Sequence, residues 1–142
     1  MSKILALDLG DQWVGVAISD AIRFFARPLE TVTLAELEPH LAQLIAKEGI
    51  KDVVIGNPLT MKGLISTQTQ KVLDYKKTLE AHFPTITFIL WDERLSSKRA
   101  ETAKSSRTKD EKIKSHSRAA AFILDSYLSY LKFTAVDTEE NV

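Results

Sequence analysis

Two acidic residues stand where apolar segments of the chain end, and both could bind metal. Asp8 follows the apolar residues 3–7, and Glu93 follows the apolar residues 86–91. A carboxylate at the end of a strand is held by the sheet but lies open at its edge. Carboxylate oxygens are the ligands that Mg²⁺ prefers, and a pair of metals about 4 Å apart can activate water and stabilise the leaving oxygen of a phosphate ester. The pattern favours metal-assisted phosphodiester hydrolysis if the fold brings the two groups together.

Each acid also has a simpler interpretation. Asp8 could form a turn with Gly10 through its side chain. Glu93 could form an ion pair with Arg94 or with a nearby lysine. The elements that position the two residues therefore decide between these interpretations.

Apolar patterning predicts five strands, at residues 3–7, 13–18, 27–32, 52–55 and 86–91. Three helices are predicted, the first beginning at Thr33 with Glu36 completing a capping box and the second at Thr67 with Gln70. The third carries Ala120, Ile123, Leu124, Tyr127, Leu128 and Leu131 on one face. A short helix is predicted near Ser96 or Ser97, and a loop over residues 104–115.

The order of these elements predicts an α/β fold with a mixed five-stranded sheet flanked by helices. Short connections make the first three strands antiparallel, whereas two helical crossovers make the later strands parallel. Ligands gather at the carboxyl ends of parallel strands in such sheets, where Asp8, Gly56-Asn57-Pro58 and Asp92-Glu93 arrive. We predict one domain over residues 1–134 and a disordered acidic tail over residues 135–142.

The composition excludes several classes of protein. The 142 residues, 44% of them hydrophobic, suit one globular domain. No apolar run is long enough for a membrane span, and the start of the chain lacks a signal-peptide pattern. The chain has no cysteine, so it has no disulfide framework and no thiolate metal site. Cytoplasm is the expected location.

The charge is unevenly distributed although the net charge is zero. Residues 98–118 hold eight basic and three acidic residues, a net charge of +5 that the rest of the chain balances. Such a segment can bind phosphates, or it can be a solvated loop. The candidates for phosphate contact are Lys98, Arg99, Lys104, Arg107, Lys109 and Lys112.

The remaining polar residues carry weaker signals. His40 and His82 lie in the predicted first and second helices and suit surface roles. Asp20 closes the second strand, where a turn is the simplest role. No G-x-S-x-G element or Walker-type phosphate loop is present.

Several blocks of the sequence resemble the YqgF family, relatives of the RuvC Holliday-junction resolvases with a ribonuclease H-like fold. The blocks are Leu5-Ala6-Leu7-Asp8-Leu9-Gly10, Gly15-Val16-Ala17-Ile18-Ser19-Asp20, residues 54–63, Asp92-Glu93-Arg94-Leu95 and the helix from Ala119. They cover most of the chain, in order. Bacterial members of the family are described as nucleases of pre-16S rRNA.

The resemblance implies a catalytic and metal-binding site formed by Asp8, Glu93 and a third group at position 116. The family has an acid there, whereas this chain has His116. An imidazole suits Mg²⁺ less well than a carboxylate. It can instead act as a general base, or it can simply cap a helix or face solvent. The chain also has Gln12-Trp13 where the family has a basic pair. Trp13 could stack on a nucleobase or pack within its strand.

The leading hypothesis is a nuclease that uses Mg²⁺ or Mn²⁺ and processes the 5′ end of pre-16S rRNA in ribosome biogenesis. Asp92 is a neighbouring alternative ligand. One alternative is a domain that has lost catalysis and only binds RNA, ribosome precursors or protein. Another is a resolvase of branched DNA, which would act as a homodimer. Nucleic acid is the leading partner, and none of the hypotheses involves a membrane.

Overall fold

The computed structural model describes residues 2–59, 62–95 and 109–140. Within these ranges the chain forms five strands, β1 (Ile4–Leu9), β2 (Trp13–Ser19), β3 (Ala26–Thr33), β4 (Asp52–Asn57) and β5 (Thr87–Asp92). Three α-helices accompany them, α1 (Leu37–Glu48), α2 (Thr67–His82) and α3 (Lys109–Glu140). Single turns of 3-10 helix occupy Leu34–Glu36 and Glu93–Leu95.

The strands form one sheet in the order β3-β2-β1-β4-β5. The pairs β1–β2 and β2–β3 are antiparallel, and the pairs β1–β4 and β4–β5 are parallel. The predicted mixed five-stranded sheet is therefore confirmed. Strand β1 is central, whereas β5 forms one edge.

Alternation along the strands builds a core on each face of the sheet. Leu5, Leu7 and Leu9 of β1 join the core that contains residues of α1 and α2. Ile4 and Ala6 join the second core, which contains residues of α3. Asp8 is the next residue on the same side of β1 as Ile4 and Ala6, so its side chain points toward α3.

Helix α3 crosses the sheet very close to β2 because Gly15 has no side chain. A Cβ at Gly15 would collide with the carbonyl group of His116 and would lie 2.7 Å from the backbone nitrogen of Ser117. These neighbours are backbone atoms, so they cannot rotate away. The position of α3 over the sheet therefore depends on a glycine at position 15.

The helix boundaries differ from prediction in their capping residues. Thr33 accepts a hydrogen bond from the Glu36 nitrogen at 3.3 Å, as predicted, but it caps the 3-10 turn that precedes α1. The capping box of α2 was wrong by one residue, because Ser66 and Thr69 exchange the bonds. The Thr69 nitrogen donates a hydrogen bond of 3.2 Å to the Ser66 hydroxyl oxygen.

The third helix is longer than predicted at both ends. It begins at Lys109, so the predicted loop was wrong for residues 109–115, and residues 104–108 lie outside the described residues. Its backbone continues past Thr134 to Glu140, where the sequence predicts a disordered tail. Packing of its apolar face on the sheet outweighs the polar character of the first turns. The helix predicted near Ser96 or Ser97 lies outside the described residues.

No helix in the described part of the chain combines the length and apolar character that a membrane crossing requires.

Substitution of Gly15 tests the close approach of α3. We expect Gly15→Ala to lower the free energy of unfolding by about 3 kcal/mol or more, the upper end for overpacking, because the new Cβ meets backbone. Gly49→Ala is the comparison, since Gly49 has φ 67° and no atom lies within 4 Å of the point where its Cβ would stand. Its left-handed backbone predicts a loss of about 1–2 kcal/mol. Equal losses in urea unfolding would show that α3 can shift freely.

Candidate active site

Asp8 lies between two glycines on neighbouring strands. It pairs with Gly15 in the antiparallel ladder with β2. Leu7 pairs with Ile55 of β4, which places Gly56 beside Asp8 at the next position. The Asp8 side chain is 18% exposed. The Asp8 carboxylate is therefore partly buried in a trough of the sheet. The trough is formed because the neighbouring residues on β2 and β4, Gly15 and Gly56, have no side chains.

Glu93 reaches toward this trough from the edge strand. If residue 56 had a Cβ atom, that atom would lie 2.5 Å from the Oε1 atom and 2.9 Å from the Cγ atom of Glu93. The Glu93 carboxylate thus occupies the space that any larger residue at position 56 would fill. Strand β5, which Glu93 follows, forms one edge of the sheet, so β4 separates it from β1. The absence of a side chain at Gly56 lets Glu93 approach β1 across β4.

Trp91 fixes the end of β5 against α3. Its Nε1 donates a hydrogen bond to the Ser126 hydroxyl at 3.0 Å. Its ring packs edge-on against the ring of Tyr127, with 5.3 Å between the ring centroids. Burial raises the pKa of Tyr127, with a smaller contribution from Asp52. Glu93 follows Trp91 by two residues, so this anchor also sets its starting point.

His116 meets Asp8 from the opposite side. Its Nδ1 atom lies 3.6 Å from Asp8 Oδ2, beyond ordinary hydrogen-bond distance but within ion-pair range. The ring is partly open to solvent, with 30% of the side chain exposed. His116 lies inside α3, about two turns after its first residue, Lys109. Its backbone is the segment of α3 that packs on Gly15.

Asp92 has a different role from Glu93. Arg94 donates to both oxygens of the Asp92 carboxylate: its Nε lies 3.0 Å from Oδ1, and its Nη2 lies 2.6 Å from Oδ2. This bonding lowers the pKa of Asp92 and raises the pKa of Arg94. The Asp92–Arg94 pair stabilises the turn after β5, which makes Asp92 a poor alternative ligand.

The other acids and histidines take structural roles. Asp20 accepts hydrogen bonds from the nitrogens of Phe24, at 2.7 Å, and Phe25, at 3.0 Å, which lower the pKa of Asp20. It therefore forms the turn that the sequence predicts. His40 lies 2.7 Å from Glu30, and His82 lies 2.8 Å from Glu38.

The predicted nucleic-acid contacts are only partly within the described residues. Lys98, Arg99, Lys104 and Arg107 lie outside them, and Lys109 and Lys112 occupy the start of α3. Trp13 is half-buried at the start of β2, and its carbonyl accepts a bond from the Gly10 nitrogen at 2.9 Å. Lys114 and Arg118, which also belong to the basic segment of residues 98–118, are exposed two residues before and two residues after His116 in the chain.

Sequence reasoning missed the spacing role of the two glycines. The predicted fourth strand ended at residue 55, whereas Gly56 lies inside β4, and Gly15 lies inside β2. A glycine within a strand weakens the strand, and it commonly marks a close approach of other atoms. That signal, applied to two strands flanking an acid, would have identified the trough.

The donor groups at this site fit a hard cation held in part by water. Within residues 2–59, 62–95 and 109–140, no three acids, histidines or cysteines are clustered closely enough to hold a metal ion. Mg²⁺ needs fewer protein ligands, because it commonly binds one or two carboxylates together with waters and substrate phosphates. Asp8 and Glu93 supply two carboxylates on either side of Gly56.

Comparison with known sequences gives a consistent family. Residues 2–130 match the model of the RuvX family, described as Holliday junction resolvase. A protein of Rubrobacter xylanophilus named "Putative pre-16S rRNA nuclease" is 39% identical over 127 residues, covering 89% of this chain and 91% of that protein. A protein of the same name from Staphylococcus carnosus is 40% identical over 139 residues, covering 92% and 97%.

Solved structures agree on the fold. RuvC of Thermus thermophilus in complex with a Holliday junction substrate superposes with a TM-score of 0.63 at 10% identity, covering 94% of this chain and 97% of that one. A second structure of Thermus thermophilus RuvC gives a TM-score of 0.54, also at 10% identity, with 93% and 96% covered. These similarities confirm the ribonuclease H-like fold. Together with the sequence matches, they show that this chain belongs to the RuvX family, which the motifs indicated under the name YqgF.

Proposed function

We propose that this chain is a nuclease that depends on Mg²⁺ or Mn²⁺ and hydrolyses phosphodiester bonds in structured RNA. The 5′ end of pre-16S rRNA is its proposed substrate, as the names of the relatives suggest. The observation that carries the proposal is the arrangement of Asp8 and Glu93 on either side of Gly56, with His116 beside Asp8.

The roles of the three side chains follow from their chemistry. Asp8 and Glu93 hold the cation, which when bound would polarise the phosphate and lower the pKa of a water. The partial burial of Asp8 keeps its carboxylate fixed. His116 takes the place of a third acid and, when neutral, either completes the cation site or accepts the proton of the attacking water.

Exposed cations lie on the helix that carries His116. Lys114 and Arg118 are both exposed, and their spacing turns them about 200° around α3 from the His116 side chain. The proposal also assigns phosphate contacts to the basic residues of positions 98–112 and a base contact to Trp13. Binding that rests on such cations weakens steeply as salt rises.

Branched DNA is the second candidate substrate. The family description names Holliday junction resolvase, and RuvC shares the fold over nearly its whole length. Cutting a junction symmetrically needs two active sites, so this function requires a homodimer. Its discriminating measurement is the mass of the complex with a four-way junction.

A nuclease assay tests the proposed function. The wild-type protein should cleave RNA that spans the 5′ end of 16S rRNA when Mg²⁺ or Mn²⁺ is present, and EDTA should abolish cleavage. Asp8→Asn and Glu93→Gln should each lose more than about 100-fold in rate, because each removes a direct ligand. Asp125→Asn is the matched control, since Asp125 is an exposed acid of α3. Equal cleavage by all four proteins would mean that the activity lies elsewhere.

Gly56→Ala tests the route of Glu93 into the site. The new Cβ would displace the Glu93 carboxylate, and we expect a loss of about 100-fold in cleavage rate, the effect of a displacement near 1 Å. The same Cβ would lie 2.6 Å from the Ile123 Cδ1 atom. Addition of Ile123→Val removes that atom and should restore stability but not activity. Recovery of both together would show that Glu93 is not positioned by Gly56.

Substitution of His116 separates its two candidate roles. His116→Asp supplies a carboxylate where the family has an acid, so Mg²⁺-dependent cleavage should be retained or increased if the residue is a ligand. Loss of cleavage in this variant, at unchanged stability, would assign the base role instead.

A further inference from the structure

A pocket lies at the end of β1 on the face of the sheet opposite Asp8. Its volume is about 420 Å³, and it is bounded by the end of β1, the residue Leu34 and helix α2. Leu9 and Gly10 line it, directly after Asp8 in the chain. Because successive strand residues point to opposite faces, the same strand end presents the carboxylate on one side and the pocket on the other.

The walls of the pocket are apolar and partly aromatic. Leu9, Leu34, Val72 and Tyr75 line it, and all four belong to or pack against the core of that face. Burial raises the pKa of Tyr75, and the charge of Glu38 contributes, so the phenol is a neutral donor. A volume between about 300 and 1,000 Å³ with apolar walls and a few polar groups is typical of ligand sites.

The polar groups at the pocket do not suit a phosphate. Lys71 is paired with Asp11 at 3.3 Å, and Asp74 lies at the same pocket, so two carboxylates accompany one ammonium. The amide of Gln68 donates to the Leu9 carbonyl at 3.2 Å, which ties α2 to the strand end. A flat neutral ring with hydrogen-bonding edges satisfies both the apolar walls and this mixed polar set.

We propose that this pocket binds an unpaired nucleobase of the strand whose phosphate lies at Asp8. The inference rests on the proposed nuclease function and names the form of its substrate. In this proposal the nucleic-acid strand passes over the turn between β1 and β2. A hydrogen bond of 2.9 Å, which the Gly10 nitrogen donates to the Trp13 carbonyl, closes that turn. A nucleotide next to the cut must then be unpaired, so the protein selects single-stranded segments, bulges or junctions over continuous duplex.

A filled pocket tests the proposal without altering the core. Thr78 lines the pocket and is exposed, so Thr78→Trp places an indole in the space. Ala81→Trp is the matched control, because Ala81 is exposed on the same helix, carries no charge and does not line the pocket. The first probe is adenosine 5′-monophosphate. Its binding is measured by NMR as saturation transfer from the protein to the protons of the adenine base. Transfer should occur for the wild type and for Ala81→Trp, and it should be lost in Thr78→Trp.

The second probe is a short single-stranded RNA with one abasic residue placed at each position in turn, bound by the Asp8→Asn variant so that cleavage cannot interfere. One abasic position should weaken binding by about tenfold, within the range for a base stacked on an aromatic ring. When Thr78→Trp is added, an abasic residue at that position should no longer weaken binding. The salt dependence of RNA binding should stay unchanged, because no phosphate contact is lost.

The outcomes separate this inference from the proposed function. RNA cleavage without saturation transfer and without a sensitive abasic position would overturn the pocket and leave the nuclease standing. Saturation transfer that Thr78→Trp abolishes, in a protein that cleaves no RNA, would support the pocket and refute the nuclease. A sensitive position that persists in Thr78→Trp would place the base elsewhere and overturn the pocket.

Discussion

The arrangement of the candidate site depends on the absence of side chains on both sides of Asp8. Gly15 on β2 admits the backbone of α3, and Gly56 on β4 admits the carboxylate of Glu93. A side chain at either position would meet atoms that the fold has already placed. Glycine weakens a strand because it has no side chain to pack and loses more conformational freedom on folding. The rest of the sheet and the burial of α3 offset that cost.

The fold could be predicted from the sequence because its signals are local and repeated. Alternation and apolar runs located the strands, and the crossovers fixed which strands are parallel. Helix ends were less certain, as Ser66 and Thr69 illustrate, because several adjacent hydroxyl residues could cap α2. The loop predicted over residues 104–115 follows from the scarcity of apolar residues there, and that local signal does not reveal that α3 begins at Lys109.

The residues of the candidate site could be proposed from the sequence, but their arrangement could not. Asp8 and Glu93 were identified as strand-end acids, and the register then showed that one strand separates them. How Glu93 crosses that strand depends on Gly56, a contact between residues far apart in sequence. The Asp92–Arg94 pair could be suspected from adjacency, but the choice between two neighbouring acids needed the observed hydrogen bonds.

The contact between α3 and Gly15 has a consequence for how this family can vary. What holds position 116 over the sheet is its main chain, resting on a glycine, and the side chain takes no part in that contact. The identity of the residue can therefore change while the place of its side chain beside Asp8 stays the same. This chain can therefore carry an imidazole at the position where the resemblance places an acid, without any change of fold.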